Sequence, residues 1–532
     1  MKKVIVYDTT LRDGAQGEGI SFSLPAKIRI ARCLDEFGID YIEGGFAASN
    51  PKDMAFFKEM KQVKLKHARL AAFGSTRRAG VAAGQDAGLA AILKAGAPVA
   101  TIFGKSWLLH VEKVLKTTPG ENLAMIADSV RYLKKRGKEV LYDAEHFYDG
   151  YLDNPDYALR TLQAAADAGA DALVLCDTNG GRLTSEIVRI TAAVAARFPR
   201  TRLGIHAHND AELAVANSLA AVEAGATMVQ GTINGYGERT GNANLCSIIP
   251  GLALKLGAPM ACGPRLRKLR SVSLLVDEIA DQRPAKNRPY VGESAFAHKA
   301  GMHVDAVSKT SKSFEHVDPE SVGNERRILM SELSGASNVR LKTGEMGLVF
   351  QKDSPAVKDI LRKLEHLEKH GYAFESADAS FKLLVQKVLK KHVPFFELKG
   401  FSVVVEKTDA ASKATTVATI KIAVKGKTEL TAGEGDGPVD ALNDALRKVL
   451  HRFYPAIDSV VLQDYHVRIL NPESATQATT RVLIDSSDGR DRWGTVGVSE
   501  NIIEASWEAL VDSVEYKLFL DEQRRTAKKT RA

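Results

Sequence analysis

The first 260 or so residues predict an α/β architecture, a closed (β/α)8 TIM barrel, on three observations. Short apolar, β-rich runs alternate with alanine-rich amphipathic stretches, the pattern of a parallel sheet covered by helices. There are eight such pairs, the count that closes a barrel. Glycine also ends several of the helical stretches (Phe37-Gly38, Ala168-Gly169, Ala224-Gly225), where a left-handed residue suits a helix C-terminus. The strands are expected near 4–8, 40–46, 69–74, 98–103, 138–143, 171–177, 201–207 and 226–232, with helices such as Ser185–Arg197 and Glu212–Ala224 between them. An open doubly wound sheet is the alternative.

A barrel of this kind carries its chemistry at the C-terminal ends of its strands. Arg12 and Asp13 follow strand one, and Glu43 ends strand two. Glu145 follows strand five, and Asp177-Thr178 end strand six. His206 and His208 end strand seven, and Asn242 follows strand eight. In a strand, residues two apart face the same way, so His206 and His208 share a face. Taken alone, a His-x-His is two polar residues in a loop. Closure of the barrel makes strands seven, eight and one neighbours, and brings Asp13 and Asn242 to the same place. A carboxylate, two imidazoles and an amide oxygen form a hard-to-borderline site for a divalent cation, with room for substrate. The glycine-rich loop Gly235–Gly241 lacks the Gly-Lys-Ser/Thr ending of a phosphate loop and reads as the tight turn that delivers Asn242, with Glu238-Arg239 tying it to the barrel rim.

Composition narrows the classes. The 532-residue chain has 45% hydrophobic and 26% charged residues, as a globular protein does, and is long enough for about three domains. Its net charge of +8 suits an anionic substrate. The basic clusters Arg265–Arg270 and Arg524–Arg531 lack interleaved aromatic residues, so no nucleic-acid partner is expected. Cys33, Cys176, Cys246 and Cys262 show no CxxC spacing, the usage of a reduced, cytoplasmic protein. The N-terminus meets charge too early for a signal peptide, and no apolar run is long enough to span a membrane.

Beyond the barrel (1–265) the rhythm changes. Residues 266–395 read as linker subdomains, with helices at Leu266–Asp281, Ser354–His370 and Ala379–Lys391. The apolar stripe Ile360, Leu361, Leu364, Leu367 reads as a dimer or linker contact. Residues 396–520 hold an internal repeat. Thr431-Ala432-Gly433 matches Thr495-Val496-Gly497 at a spacing of 64, and Ala441/Ala505, Ala445/Ala509 and Leu446/Leu510 keep that spacing. Each copy reads as three strands and a helix, and two copies build a pseudo-symmetric α+β domain. Residues 521–532 read as a basic disordered tail.

Three motifs now carry a resemblance: Asp8-Thr9-Thr10-Leu11-Arg12-Asp13-Gly14, His206-Ala207-His208-Asn209-Asp210 and Gly237-Glu238-Arg239-Thr240-Gly241-Asn242. In this order, each after its strand, they resemble the DRE-TIM metallolyases. Over nearly the whole chain the resemblance is closest to the citramalate synthase family, relatives of the 2-isopropylmalate and homocitrate synthases. It implies a metal (Mg, Mn or Zn) on Asp13, His206 and His208, with Asn242 as further ligand or water holder. It implies that Arg12 contacts the oxygens of a 2-oxo acid and Thr178 its carboxylate, and that residues 266–395 cover the active site and mediate dimer contacts. From the residues alone, Arg12 could instead pair with a neighbouring acid and Thr178 cap a helix, while Glu43, in the substrate pocket, and Glu145, among the catalytic groups, read as supporting acids or base partners with a barrel-rim ion pair as the alternative.

The resemblance places the catalytic base near His303, with Asp305 two residues on, while His298 reads as structural. Phe314 departs from the tyrosine the family often has there, and Tyr290 is a possible replacement. The implied reaction is a Claisen condensation of acetyl-CoA with pyruvate in a homodimer. The last domain would be regulatory and bind isoleucine, with Gly433–Gly437 either receiving the effector's carboxylate or serving only as a turn. A larger 2-oxo acid would instead make the product 2-isopropylmalate or homocitrate. A lyase running the bond chemistry backwards and a non-catalytic metabolite sensor are the readings from other classes.

Overall fold

The computed structural model describes residues 2–531 apart from 49, 332, 333 and 352. Eight parallel strands, β1 (Ile5–Asp8), β2 (Tyr41–Phe46), β3 (Arg69–Ser75), β4 (Val99–Lys105), β5 (Glu139–Glu145), β6 (Ala172–Asp177), β7 (Arg202–Ala207) and β8 (Met228–Gly231), form one closed barrel. Closure is made where Ile5–Asp8 pair with Met228–Gly231, so the open-sheet alternative does not apply. The strands are buried on both faces, as a sheet wrapped in helices requires. Inside, Tyr7, Tyr41, Val99, Leu141, Val174 and Met228 fill the barrel, so it is a packed core with a site on top rather than a pore.

Local chemistry sets the element ends. Ser23, Thr118 and Asn154 cap helices whose first turns carry proline. Gly38 ends the helix Leu24–Phe37 at φ 99°, and Gly169 and Gly225 are also left-handed. Strand β5 runs two residues further than its apolar pattern suggests, so Glu145 is its last residue and not the residue after it.

The barrel's compact unit extends beyond the expected boundary at 265. It holds residues up to Phe296 together with His316–Glu325. The helix expected at Leu266–Asp281 is a 3-10 turn, Gly263–Lys268, followed by the helix Leu269–Ile279. Its Asp277 is fully buried and accepts from Asn234, Tyr236 and Arg288. This buried carboxylate, compensated by a guanidinium, pins the loop after β8 that leads to Asn242.

The second unit holds residues 297–315 and 326 onward. Its helices Pro355–Lys369 and Asp378–Val388 bury Ile360 and Leu364 against Phe374, Phe381 and Val385, so the apolar stripe is internal packing of this unit. Two antiparallel three-stranded sheets follow. The first is β9 (Glu397–Glu406), β10 (Thr415–Val424) and β11 (Lys427–Gly435), with helix Pro438–His451. The second is β12 (Val461–Ile469), β13 (Thr480–Ser487) and β14 (Arg492–Ser499), with helix Ile502–Arg531. This is the expected βββα repeat. The last helix continues through the tail expected to be disordered, because Glu522 to Lys529 are mostly strong helix formers with no glycine or proline; residue 532 lies outside the described residues.

The repeat spacing of 64 has a packing cause. A Cβ on Gly433 would collide with the carbonyl oxygen of Ala441, and a Cβ on Gly497 with that of Ala505, the equivalent atom in the second copy. In each copy the helix backbone crosses its sheet at a glycine. Gly497→Val is expected to lower unfolding free energy by about 3 kcal/mol through overpacking. Chemical denaturation measures this, and a midpoint equal to that of the parent chain contradicts the packing account.

Candidate metal centre and active site

The site is assembled by the loop after β1. Asp8, the last residue of that strand, accepts from the amide and hydroxyl of Thr10 at 3.0 and 2.8 Å. Thr10 Oγ1 in turn accepts from the Ile233 amide at 2.8 Å, joining this loop to the one after β8. The result is a tight turn that sets Arg12 and Asp13 at the barrel mouth.

Asp13 Oδ2 lies 3.2 Å from His206 Nε2 and 4.0 Å from His208 Nε2, and the two imidazole nitrogens are 3.3 Å apart. All three side chains are buried, and their ligand atoms lie within 4.8 Å of one another. Asn242 reaches the group through a bridge between its backbone and that of His208. Its Nδ2 donates to the Tyr236 carbonyl at 3.3 Å, which leaves Oδ1 buried with no hydrogen-bond partner. The glycines make this turn possible. Gly241 sits at φ 95°, and a Cβ there would collide with the Gly235 carbonyl. Converging carboxylate, imidazole and amide donors, with an orphaned buried oxygen among them, fit a divalent cation.

The charges are arranged around that centre. Burial raises the Asp13 carboxyl, but Arg12 and His206 outweigh it and hold it well below the usual carboxylate range. Burial pushes the His208 imidazole down to about 3, reinforced by His206, so it stays a neutral donor. Burial also acts against protonated His206, yet Asp13 more than offsets this and moves it up. Arg12 donates through Nε to Glu43 Oε1 at 2.5 Å, sits 3.3 Å from Asp13 through Nη1, and stacks over the Phe73 ring at 3.6 Å.

Glu43, expected in the substrate pocket, is fully buried with both oxygens committed. Oε1 accepts from Thr9 and Arg12, and Oε2 accepts from Tyr7. Its place is therefore behind Arg12, as the anchor of the guanidinium. Glu145 is in register with Lys105 across β4 and β5 and pairs with it, as a rim ion pair. Thr178 Oγ1 accepts from the His146 amide at 2.9 Å, which keeps its own proton available for a carboxylate. Arg239 clamps Asp210 with two hydrogen bonds, at 2.7 and 2.9 Å, and donates to the Thr178 carbonyl at 2.8 Å, tying the glycine loop to the rim.

His303 and Asp305 lie in the second unit, on helix Gly301–Lys309. Two residues apart on a helix, they face different ways. His303 stacks on Phe314 with ring centroids 4.1 Å apart, while Asp305 accepts from Ser337 and Lys309. His298 bonds Glu315, itself clamped by Arg326, the structural role expected of it. Tyr290 belongs to the barrel unit and packs edge-on against His316.

In the last domain, the amides of Glu434 and Asp436 already receive the carboxylates of Asp444 and Asp440. Gly433–Gly437 is thus a turn filled by its own helix, and the expectation that it receives a ligand carboxylate is dropped.

Four residues of this centre carry no sequence motif: Tyr7, Asp143, Thr101 and Gln230. Each is a polar side chain inside an otherwise apolar strand, and that mismatch is the signal that marks them. Also unforeseen is a stack of Trp107, His110 and His146 at the mouth beside Glu145, with His110 and His146 centroids 4.1 Å apart.

Asp8 supplies a pH test. Burial pushes its carboxyl up to about 7 in the folded chain, against about 4 when unfolded. The folded state binds the proton more tightly, so this contribution is complete below pH ~4 and is lost as pH rises to ~7. The stability of Asp8→Asn relative to the parent chain is therefore expected to rise across that window in urea titrations, and a constant difference contradicts the assignment.

Three family models match the chain. The HMGL-like model covers residues 3–276, the homocitrate synthase post-HMGL domain-like model 290–371, and the LeuA allosteric (dimerisation) domain 375–518. An (R)-citramalate synthase of Aquifex aeolicus is 53% identical over 98% of this chain and 99% of its own length. One of Geobacter sulfurreducens is 53% identical over 99% of this chain and 100% of its own. A 2-isopropylmalate synthase of Methanocaldococcus jannaschii is 29% identical over 96% of this chain and 94% of its own. The match to the two (R)-citramalate synthases runs end to end. With the barrel, the convergent donors and the repeated C-terminal domain already in place, the chain belongs to the HMGL-like family and, within it, to the (R)-citramalate synthases.

Proposed function

We propose that this chain condenses acetyl-CoA with pyruvate and hydrolyses the thioester, releasing citramalate and free CoA. The observation that carries the reading is the convergence of Asp13, His206, His208 and the unpartnered Asn242 oxygen in a chain matched end to end by citramalate synthases. The anionic substrates suit a mouth that presents Arg12 beside the donors.

Asp13, His206 and His208, with Asn242 beside them, would hold a divalent cation, which would supply Lewis-acid polarisation of the keto group. The protein's own groups do the rest. Thr178 donates a hydrogen bond from its hydroxyl to the 2-oxo acid's carboxylate. A base removes a methyl proton from acetyl-CoA, and we assign that base to the environment of His303. The carbanion forms a bond to the keto carbon. The carbonyl π electrons become an alkoxide, which faces Arg12. Glu43 and Phe73 fix that guanidinium from behind, so little reorganisation is needed when charge develops. The alkoxide takes a proton to become the tertiary hydroxyl. Water then breaks the C–S bond, leaving a carboxylate and the CoA thiol, and the hydrolysis drives the sequence forward.

We assign the C-terminal domain a regulatory role with isoleucine as its effector, and the oligomer as a homodimer. The match to a dimerisation and allosteric domain supports both. No helix among the described residues is long and apolar enough to cross a membrane, and a cytoplasmic location fits the unpaired cysteines.

A thiol-release assay with acetyl-CoA tests the reaction, using pyruvate, 2-oxoisovalerate and 2-oxoglutarate with and without chelator. Release with pyruvate, abolished by chelator and by His206→Asn, is expected. Preference for either larger acid contradicts the proposed substrate. Undiminished release in His206→Asn contradicts the ligand assignment.

A further inference from the structure

We infer that Gln230 is the positioning residue of the metal centre, that it fixes the tautomer of His206, and that Asp143 fixes Gln230. The inference rests on the metal-site reading above. Gln230 lies on β8 with its side chain inside the barrel, fully buried. Its Oε1 is 2.8 Å from His206 Nδ1, and its Nε2 is 3.1 Å from Asp143 Oδ1 on β5. The chain Asp143–Gln230–His206–Asp13 thus crosses the barrel interior, and its members are each less than one-tenth exposed.

The logic is one of donors and acceptors. An amide oxygen only accepts, so His206 must carry a proton on Nδ1, which leaves Nε2, on the side of Asp13, as the ring nitrogen that can bind a cation. A flipped Gln230 would present its NH2 to Nδ1, forcing the proton onto Nε2, where a cation has no lone pair to bind. What prevents the flip is Asp143. Its carboxylate oxygen accepts from the amide and would meet the amide oxygen unfavourably in the reverse orientation. A second group thus decides which face of the first ligand is available. His208 has no such partner, since its Nδ1 is buried without a hydrogen bond. The two imidazoles therefore differ: one is oriented from behind, and the other is held by its backbone bridge to Asn242.

The charge placement is also specific. A glutamate at position 230 would accept from His206 equally well but would place a second carboxylate against Asp143 in the buried barrel interior. Moving the charge from position 143 to position 230 should restore the chain, since an asparagine at the first position can donate to a glutamate at the second. A packing role alone makes no such distinction.

The test is Mn2+ binding to the metal-free full-length protein by isothermal titration calorimetry, with folding checked by circular dichroism. Gln230→Leu is expected to fold and to bind Mn2+ about 10- to 100-fold more weakly. Gln230→Glu should bind weakly as well, and the double variant Gln230→Glu with Asp143→Asn should recover most of the affinity. Should Gln230→Glu not fold, Asp143→Asn replaces it. Asparagine can also donate to a flipped Gln230, so Asp143→Asn no longer selects the orientation and should bind Mn2+ more weakly than the parent chain; parent-like affinity in it overturns the role given to Asp143. Parent-like affinity in Gln230→Leu overturns the positioning role while leaving the metal site intact, as does a double variant no better than Gln230→Glu. A parent chain that binds no Mn2+ overturns the metal-site reading and this inference together.

Discussion

The pairing of β1 with β8 is the constraint on which everything at the site depends. Asp13 and His206 are separated by 193 positions, counting 206 − 13, and only barrel closure makes them neighbours. Four register pairs, Ile5–Asp8 on Met228–Gly231, bring the two ends of the barrel sequence together. The Thr10–Ile233 hydrogen bond and the buried Asp277 cluster then fix the two loops against each other. The chemistry is thus a consequence of topology: a sheet left open at this edge would leave a carboxylate at one side and two imidazoles at the other.

The second theme is charge compensation in the protein interior. Glu43 and Asp13 are buried and Arg12 is mostly so, and isolated charges there would be costly. They form an alternating row, with Tyr7 and Thr9 satisfying the remaining lone pairs of Glu43. Such a row holds Arg12 rigid and keeps Asp13 ionised, and both properties serve a centre that must bind a cation and receive an anion. The same economy explains Lys105 with Glu145 and Arg239 with Asp210 at the rim.

Much of this is legible in the sequence, for physical reasons. Parallel strands buried on both faces give apolar runs that stand out, and left-handed glycines mark where helices stop. Residues at strand ends, such as Asp13, His206 and Asn242, can be placed together because barrel geometry dictates which ends are adjacent. The repeat in the last domain is visible because glycine is forced wherever its helix crosses the sheet. What stays hidden is the barrel interior. Glu43 contacts residues on β1 and in the loop beyond it, and Gln230 joins β5 to β7. Side chains meeting across a barrel leave no periodic pattern in the chain. The basic tail departs from expectation because helix propensity there outweighs charge density.

The account's central claim is that one cation is shared by side chains from the two ends of the barrel. Anomalous diffraction from crystals of the protein soaked in Mn2+ tests it most directly. A single strong peak in the barrel mouth, bonded to Asp13, His206 and His208 together, is the predicted result. A peak bonded to the histidines with Asp13 turned away, or a cation bound only elsewhere on the chain, would contradict it.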